Sequence, residues 1–147
     1  MINISNKKKV RRYSKASGSI LLKESTISHI REGKIKKGNV EEAAKIAGIM
    51  GAKEAWMRLP YCHQIPLESV DFSLQLMQRE VKVTCSVAAS WKTGVEMDAL
   101  SCVSSALLTV WDMVKYLEKD DSGNYPETRI KDILVEEKIK GEPQSQD

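Results

Sequence analysis

Aromatic residues are scarce in this 147-residue chain: one phenylalanine, four tyrosines and three tryptophans, 5% in all. A sheet that stacks RNA bases displays aromatics on its central strands; here the regular alternation carries Cys85 and Val87 instead. A small RNA-binding module is therefore the weak reading, and no nucleic-acid partner is expected. Cysteine is also sparse. Cys62, Cys85 and Cys102 lie far apart, no Cys-x-x-Cys occurs, and the histidines are His29 and His63 alone. A structural zinc site wants four such ligands in paired short spacings. Neither a metal nor a disulfide framework is expected, and the cysteines read as reduced thiols in or near a core. Charge of one sign is not in excess either: 23 Lys plus Arg against 20 Asp plus Glu leave a net charge of +3. That excludes a strongly basic coat protein while leaving room for a local basic patch. No apolar run approaches the ~20 residues that span a bilayer. The basic stretch ending at Arg12 has no apolar segment behind it, as a secretory signal would. A cytoplasmic protein without a membrane partner is expected.

The length suits one domain, residues 1–147, with 1–12 and 141–147 as loose ends. No internal repeat is present. Residues 16–23 suit a first strand, and Thr26–Glu32 a short helix with Ser25 as cap and Gly33 as stop. Asn39 is the expected N-cap of a stronger helix that runs to Pro60, with Glu41 and Glu42 in its first turn, where the helix dipole favours negative charge. Gly48 and Gly51 in that helix suggest close packing against a neighbour. Val70, Phe72, Leu74 and Leu76 alternate with polar residues, as do Val81, Val83, Cys85 and Val87 after the turn at Gln78–Glu80, so two half-buried strands form a hairpin. Glu96–Glu118 is the longest helix, its apolar stripe marked by Leu100, Val103, Leu107, Val110 and Val114. A strand over Ile130–Ile139 closes the pattern. The order is β-α-β-β-α-β, an α+β fold with an antiparallel sheet and helices packed on one face.

Polar residues gather at three places that packing does not require. Lys36-Lys37-Gly38-Asn39 precedes a helix, where backbone N–H groups and a lysine meet an anion. Tyr61-Cys62-His63-Gln64-Ile65-Pro66 puts a histidine, whose protonation changes near neutral pH, in a proline-bounded turn. Lys92-Thr93-Gly94-Val95-Glu96-Met97-Asp98 opens the long helix, which also carries Asp112 and Lys115 three apart on one face. Each has a bland alternative as solvated loop, structural histidine or surface ion pair. Trp111 and Met113 interrupt the polar side of that helix, which fits burial against a neighbouring subunit or a ligand.

Lys37-Gly38-Asn39-Val40, Ile46-Ala47-Gly48-Ile49, Cys62-His63, Lys92-Thr93-Gly94-Val95-Glu96-Met97 and Asp112-Met113-x-Lys115 follow one another in the order and near-spacing of one family. From about Asn3 to Lys140 the chain resembles the cyclic pyranopterin monophosphate synthases of molybdenum cofactor biosynthesis, the MoaC family. The resemblance implies a lyase that converts 3′,8-cyclo-7,8-dihydro-GTP to cyclic pyranopterin monophosphate with release of diphosphate. It also implies a ferredoxin-like fold, no metal or other cofactor, and a hexamer built as a trimer of dimers with active sites at subunit interfaces. Carried over by position, the catalytic residues are Asp112, Lys115 and Lys37. Tyr61, Cys62, His63, Glu96, Met97, Asp98, Arg12 and Lys138 fall on substrate-binding positions. The sequence departs from the family pattern in four places. Tyr61 replaces leucine, Gln64 replaces proline, Asp98 replaces glutamate, and Glu136–Lys140 stands where a glycine-rich segment is usual. The rival this raises is a catalytically inactive structural relative. The lysines are expected to act as acid–base groups if burial or neighbouring cations lower their pKa, with Lys37, Lys115, His63 and Asp112 around one pocket.

Overall fold

The computed structural model describes residues 1–143. Among them are four strands and four helices: β1 (Val10–Leu21), α1 (Glu24–Arg31), α2 (Val40–Lys53), α3 (Ala55–Arg58), β2 (Ser69–Leu76), β3 (Glu80–Trp91), α4 (Glu96–Glu118) and β4 (Arg129–Pro143). The sheet order is β2-β3-β1-β4 with every neighbouring pair antiparallel. This is the expected ferredoxin-like α+β arrangement, with the expected short first helix as α1 and the single turn of α3 added.

The period-2 strands pack as their patterns require. Val81, Val83, Cys85 and Val87 on β3 are buried, and their pairing partners Leu76, Leu74, Phe72 and Val70 on β2 pack against the same core. On β1 the residues facing the helices are Val10, Arg12, Ser14, Ala16, Gly18, Ile20 and, just beyond it, Leu22. Arg12 and Ser14 are buried polar groups among them. That polar interior explains why β1 starts at Val10 rather than Ala16. Val10–Arg12, expected as part of a loose end, are strand. So are Gly141–Pro143 at the other end, while 144–147 lie outside the described residues.

β4 pairs with β1 through three register shifts, each placing an extra residue in β4. At one of them Asp132 takes a left-handed φ of 56°. At another, between Lys15/Ala16 and Glu137/Val135, the extra residue is Glu136. Its carboxylate accepts from Ser17 Oγ at 2.7 Å and meets Lys15 and Lys82 at 3.5 and 3.7 Å. A bulge shifts the side-chain phase of everything beyond it. Lys138 and Lys140 accordingly stand opposite Ser14 and Arg12, on the helix-covered side of the sheet.

Asn39 caps α2 as expected, its Oδ1 accepting from Glu42 N at 2.9 Å. The helix stops at Lys53 rather than continuing to Pro60, and α3 is a separate turn. Gly48 and Gly51 lie against α4: a Cβ on Gly51 would sit 2.3 Å from Ser105 Oγ and 2.7 Å from the Ser101 carbonyl. The neighbour these glycines approach is the chain's own helix. The same holds for Met113, buried inside the chain at 6% exposure, and Trp111, edge-on to Tyr125 with ring centroids 5.3 Å apart. None of the four calls for a second subunit.

α1 lacks the expected Ser25 cap; its N-cap is Lys23, without a side-chain bond. The fully buried Glu118 carboxylate takes that role. It accepts from Lys23 N at 3.2 Å, Thr26 Oγ1 at 2.5 Å and Thr128 Oγ1 at 2.8 Å. α4, long and apolar enough by composition to cross a membrane, spends its apolar stripe on the core: Cys102, Val103, Ala106, Leu107, Val110 and Val114 are fully buried. Cys85 on β3 and Cys102 on α4 form a disulfide, so the reading of these two as reduced thiols is corrected; Cys62 is free. Their register positions under one core layer bring them together, a proximity invisible in spacing alone.

Candidate active site

Lys37 reaches the long helix from the loop ahead of α2. Its Nζ donates to Asp112 Oδ2 at 2.9 Å and to the Asp112 carbonyl at 3.1 Å, while Lys115 Nζ, one turn along α4, lies 3.0 Å from Oδ1. One carboxylate thus holds two ammonium groups, one of them from a position 75 residues earlier in the chain. The loop is fastened by Tyr116, whose hydroxyl accepts from Lys36 N at 3.0 Å and whose ring lies 5.2 Å from Lys36 Nζ. The Lys37 and Lys115 hydrogen bonds hold the Asp112 carboxyl below its ordinary range. The same contact raises Lys115, reversing the expected lowering. In this arrangement Lys115 stays protonated and positively charged beside Asp112.

The remaining expected residues gather at the other end of α4. Tyr61, Cys62, His63, Glu96 and Met97 line a cavity of about 450 Å³ together with Thr93, Gly94 and Val135. His63 Nε2 is 2.7 Å from the Ile2 carbonyl. Tyr61 and Met97 are exposed, apolar walls of the cavity. Asp98 is 2% exposed and its Oδ2 has no hydrogen-bond partner among the described residues. Burial, and next the Glu96 charge, push its carboxyl up to about 6, against a bond from its own backbone N–H. Burial, and then the Asp98 charge, raise the Cys62 thiol, so it stays protonated near neutral pH. Burial alone would raise Glu96 too, but the ammonium of Lys138, the backbone N–H and Arg12 together bring it below its usual value.

Arg12 is 7% exposed and donates to the carbonyls of Trp91 at 3.4 Å and Lys92 at 3.3 Å. It forms the floor of a second, larger cleft of about 610 Å³ that includes Lys138, Thr93 and Gly94. Lys7, Lys8 and Lys140 also line it. These three are absent from the expected set, because Lys7–Lys9 reads as a solvated tail and β4 alternation without its bulges misplaces Lys140.

Within one chain the expected residues therefore fall into two groups at opposite ends of α4. Asp112 lies sixteen residues beyond Glu96 on α4, roughly 24 Å at the helical rise of ~1.5 Å per residue. Lys37, Asp112 and Lys115 come together as expected; His63 does not join them within one chain. Acid–base groups at one end and a cation-lined cleft at the other define an enzyme-like α+β protein for a small anionic substrate. The chain belongs to the MoaC family, whose profile, described as "MoaC family", matches residues 1–141. It is 51% identical over 142 residues to a protein of Thermoplasma volcanium, covering 97% of this chain and 95% of that one. It is 53% identical over 140 residues to a Thermoplasma acidophilum protein, covering 95% and 98%. A Pyrococcus furiosus protein is 53% identical over 142 residues, covering 97% and 91%. Each relative is named "Probable cyclic pyranopterin monophosphate synthase".

Proposed function

We propose that this chain is a cyclic pyranopterin monophosphate synthase of molybdenum cofactor biosynthesis, a single-domain lyase acting on 3′,8-cyclo-7,8-dihydro-GTP. The observation that carries the reading is the Lys37–Asp112–Lys115 cluster. Rearranging the substrate opens and closes rings through proton transfers. An internal hydroxyl then attacks the α-phosphorus, the bond to the β-phosphate breaks, the hydroxyl proton passes to a base, and diphosphate leaves with the bonding electrons. Asp112 positions the two ammonium groups. Asp112 keeps Lys115 protonated, so Lys115 can hand a proton to a departing atom once the substrate displaces Asp112. His63, Glu96 and Asp98 face the cyclic part of the substrate, with Tyr61, Cys62 and Met97 as walls. Arg12 and Lys138 take phosphate oxygens through charge-assisted hydrogen bonds.

A complete site on this reading needs two chains, the Lys37 end of one facing the His63 end of its partner, as in a two-fold dimer. We extend this to a hexamer, a trimer of such dimers. Ile46, Met50, Met57 and Leu108, exposed apolar side chains on α2, α3 and α4, offer surface for it. A GTP-derived polyanion does not cross bilayers, which favours a cytoplasmic enzyme. The test is incubation with the cyclised GTP precursor and detection of diphosphate. No release sinks the synthase reading in favour of an inactive relative. Lys37→Arg and Lys115→Arg then separate proton transfer from charge. Turnover down roughly 10²-fold in both supports acid–base roles, since a guanidinium keeps its proton near neutral pH. Near-wild-type turnover refutes them.

A further inference from the structure

The bond between Lys37 and Asp112 joins the loop ahead of α2 to α4, yet it is a bond that Lys37 must give up to meet a substrate. Another contact has to keep Lys37 in place when it does. Ile35–Gly38 is a tight turn, closed by Gly38 N donating to the Ile35 carbonyl at 3.0 Å. Both its ends are fixed. Ile35 is buried in the core, and Gly38, at a left-handed φ of 115°, hands the chain to Asn39 and the cap of α2. Lys36 and Lys37 form the exposed corner between them. The hydrogen bond that closes a turn of this kind uses its first carbonyl and its last amide, so the amide of Lys36 is left to find a partner elsewhere.

Tyr116 supplies that partner. It follows Lys115 directly and stands four residues beyond Asp112, on the same face of α4. Its ring is half-buried against the core, which fixes where the hydroxyl lies. The hydroxyl accepts from Lys36 N at 3.0 Å, and the ring centre is 5.2 Å from Lys36 Nζ, within range of a cation–π contact. Among the described residues the hydrogen bonds between the corner and α4 are this one, made by backbone, and those of Lys37 Nζ to Asp112. The first survives when the second are given up. We infer that Tyr116 is a positioning residue for Lys37, holding the backbone of the corner on α4 so that Lys37 stays beside Lys115 after it leaves Asp112. This rests on the synthase reading for the step that Lys37 serves, and on the turn alone for the tie. A reacting group that drifts out of line costs rate more than it costs binding.

Tyr116→Phe removes the hydroxyl and keeps the ring, while Tyr116→Leu removes both. In the first, kcat for diphosphate release should fall about three- to tenfold, the scale of one lost hydrogen bond. In the second it should fall further, with KM within about twofold of wild type in both. Tyr13→Phe, which removes a hydroxyl bonded to Ser86 Oγ at 3.1 Å on the sheet, should leave both constants unchanged. A readout free of turnover follows Asp112, whose carboxyl lies below its ordinary range because of the hydrogen bonds from Lys37 and then Lys115. Its titration midpoint can be read from the carboxyl carbon resonance of the full chain, assigned by Asp112→Asn. A loosened corner frees Lys37, so the midpoint should rise toward that of Lys37→Met, slightly in Tyr116→Phe and more in Tyr116→Leu. A midpoint unmoved in both Tyr116 variants overturns the inference. So does a shifted midpoint with wild-type kcat, a loss confined to KM, or an equal loss in Tyr13→Phe. A wild-type chain that releases no diphosphate, with the Asp112 shifts as expected, would remove the synthase reading and leave the tie between Tyr116 and the corner standing.

Discussion

Two chains, each inactive for a different reason, should restore each other. α4 separates Asp112 from Glu96 by roughly 24 Å, so on the proposed two-chain reading Lys37 and His63 of one chain serve different sites. Lys37→Ala and His63→Ala change side chains outside the hydrophobic core and should leave folding nearly intact. Each alone should drop turnover about 10²-fold. Mixed in equal amounts with free exchange, half of all pairs contain unlike chains. Every such pair has one doubly altered site and one intact site. About a quarter of all sites are then intact, so the mixture should turn over at about 25% of wild type, more than tenfold above either parent. The assay is diphosphate release before and after exchange, with native mass spectrometry verifying that mixed oligomers form. A mixture that forms mixed oligomers yet stays at the average of its parents would refute the two-chain site.

Asp98→Asn should raise stability at pH 8 and not at pH 4. The native carboxyl titrates near 6 against an ordinary 3.8. The native state therefore holds its proton more tightly, and stability is lost as pH rises through that window, by on the order of 3 kcal/mol. A melting-temperature gain equal at both pH values contradicts this. Thiol titration of denatured, unreduced protein should find one reactive group per chain, Cys62, rising to three on reduction; three without reductant would show the Cys85–Cys102 bond absent. Gly51→Ala should cost about 1–3 kcal/mol by driving a methyl into Ser105 and the Ser101 carbonyl. This outweighs the gain of about 1 kcal/mol in helix propensity, so an unchanged or higher melting temperature in calorimetry would overturn the packing argument.

The parts of the fold legible in the sequence are those whose pattern answers to one local rule. β2 and β3 alternate because each buries one face, and Asn39 caps α2 with its own side chain. What escaped depends on distant partners. β1 begins at Val10 because Arg12 and Ser14 point inward, polar where a strand pattern wants apolar. β4 changes phase at its bulges, so neither its true length nor the side taken by Lys138 and Lys140 follows from alternation. The cap of α1 comes from Glu118, 95 residues away from Lys23. The site divides the same way. Short motifs singled out Lys37, His63, Glu96, Asp112 and Lys115, because each cluster is local. That they form two groups rather than one is set by the length of α4, which no motif records.

The Glu118 carboxylate has a consequence for how the molecule comes apart. Three segments meet at one buried group: the start of α1 through Lys23 and Thr26, the end of α4, and the approach to β4 through Thr128. Freeing any of them breaks hydrogen bonds made at the buried carboxylate, which costs free energy the segment cannot recover alone. Helix ends and edge strands ordinarily fray first; here neither α1 nor the entry to β4 can peel away by itself. The Lys23 amide, at a helix start where exchange with solvent is usually fast, is thereby tied to the slow exchange of the core. The first helix and the approach to the last strand should therefore open together with the end of α4, which hydrogen exchange at the Lys23 amide checks.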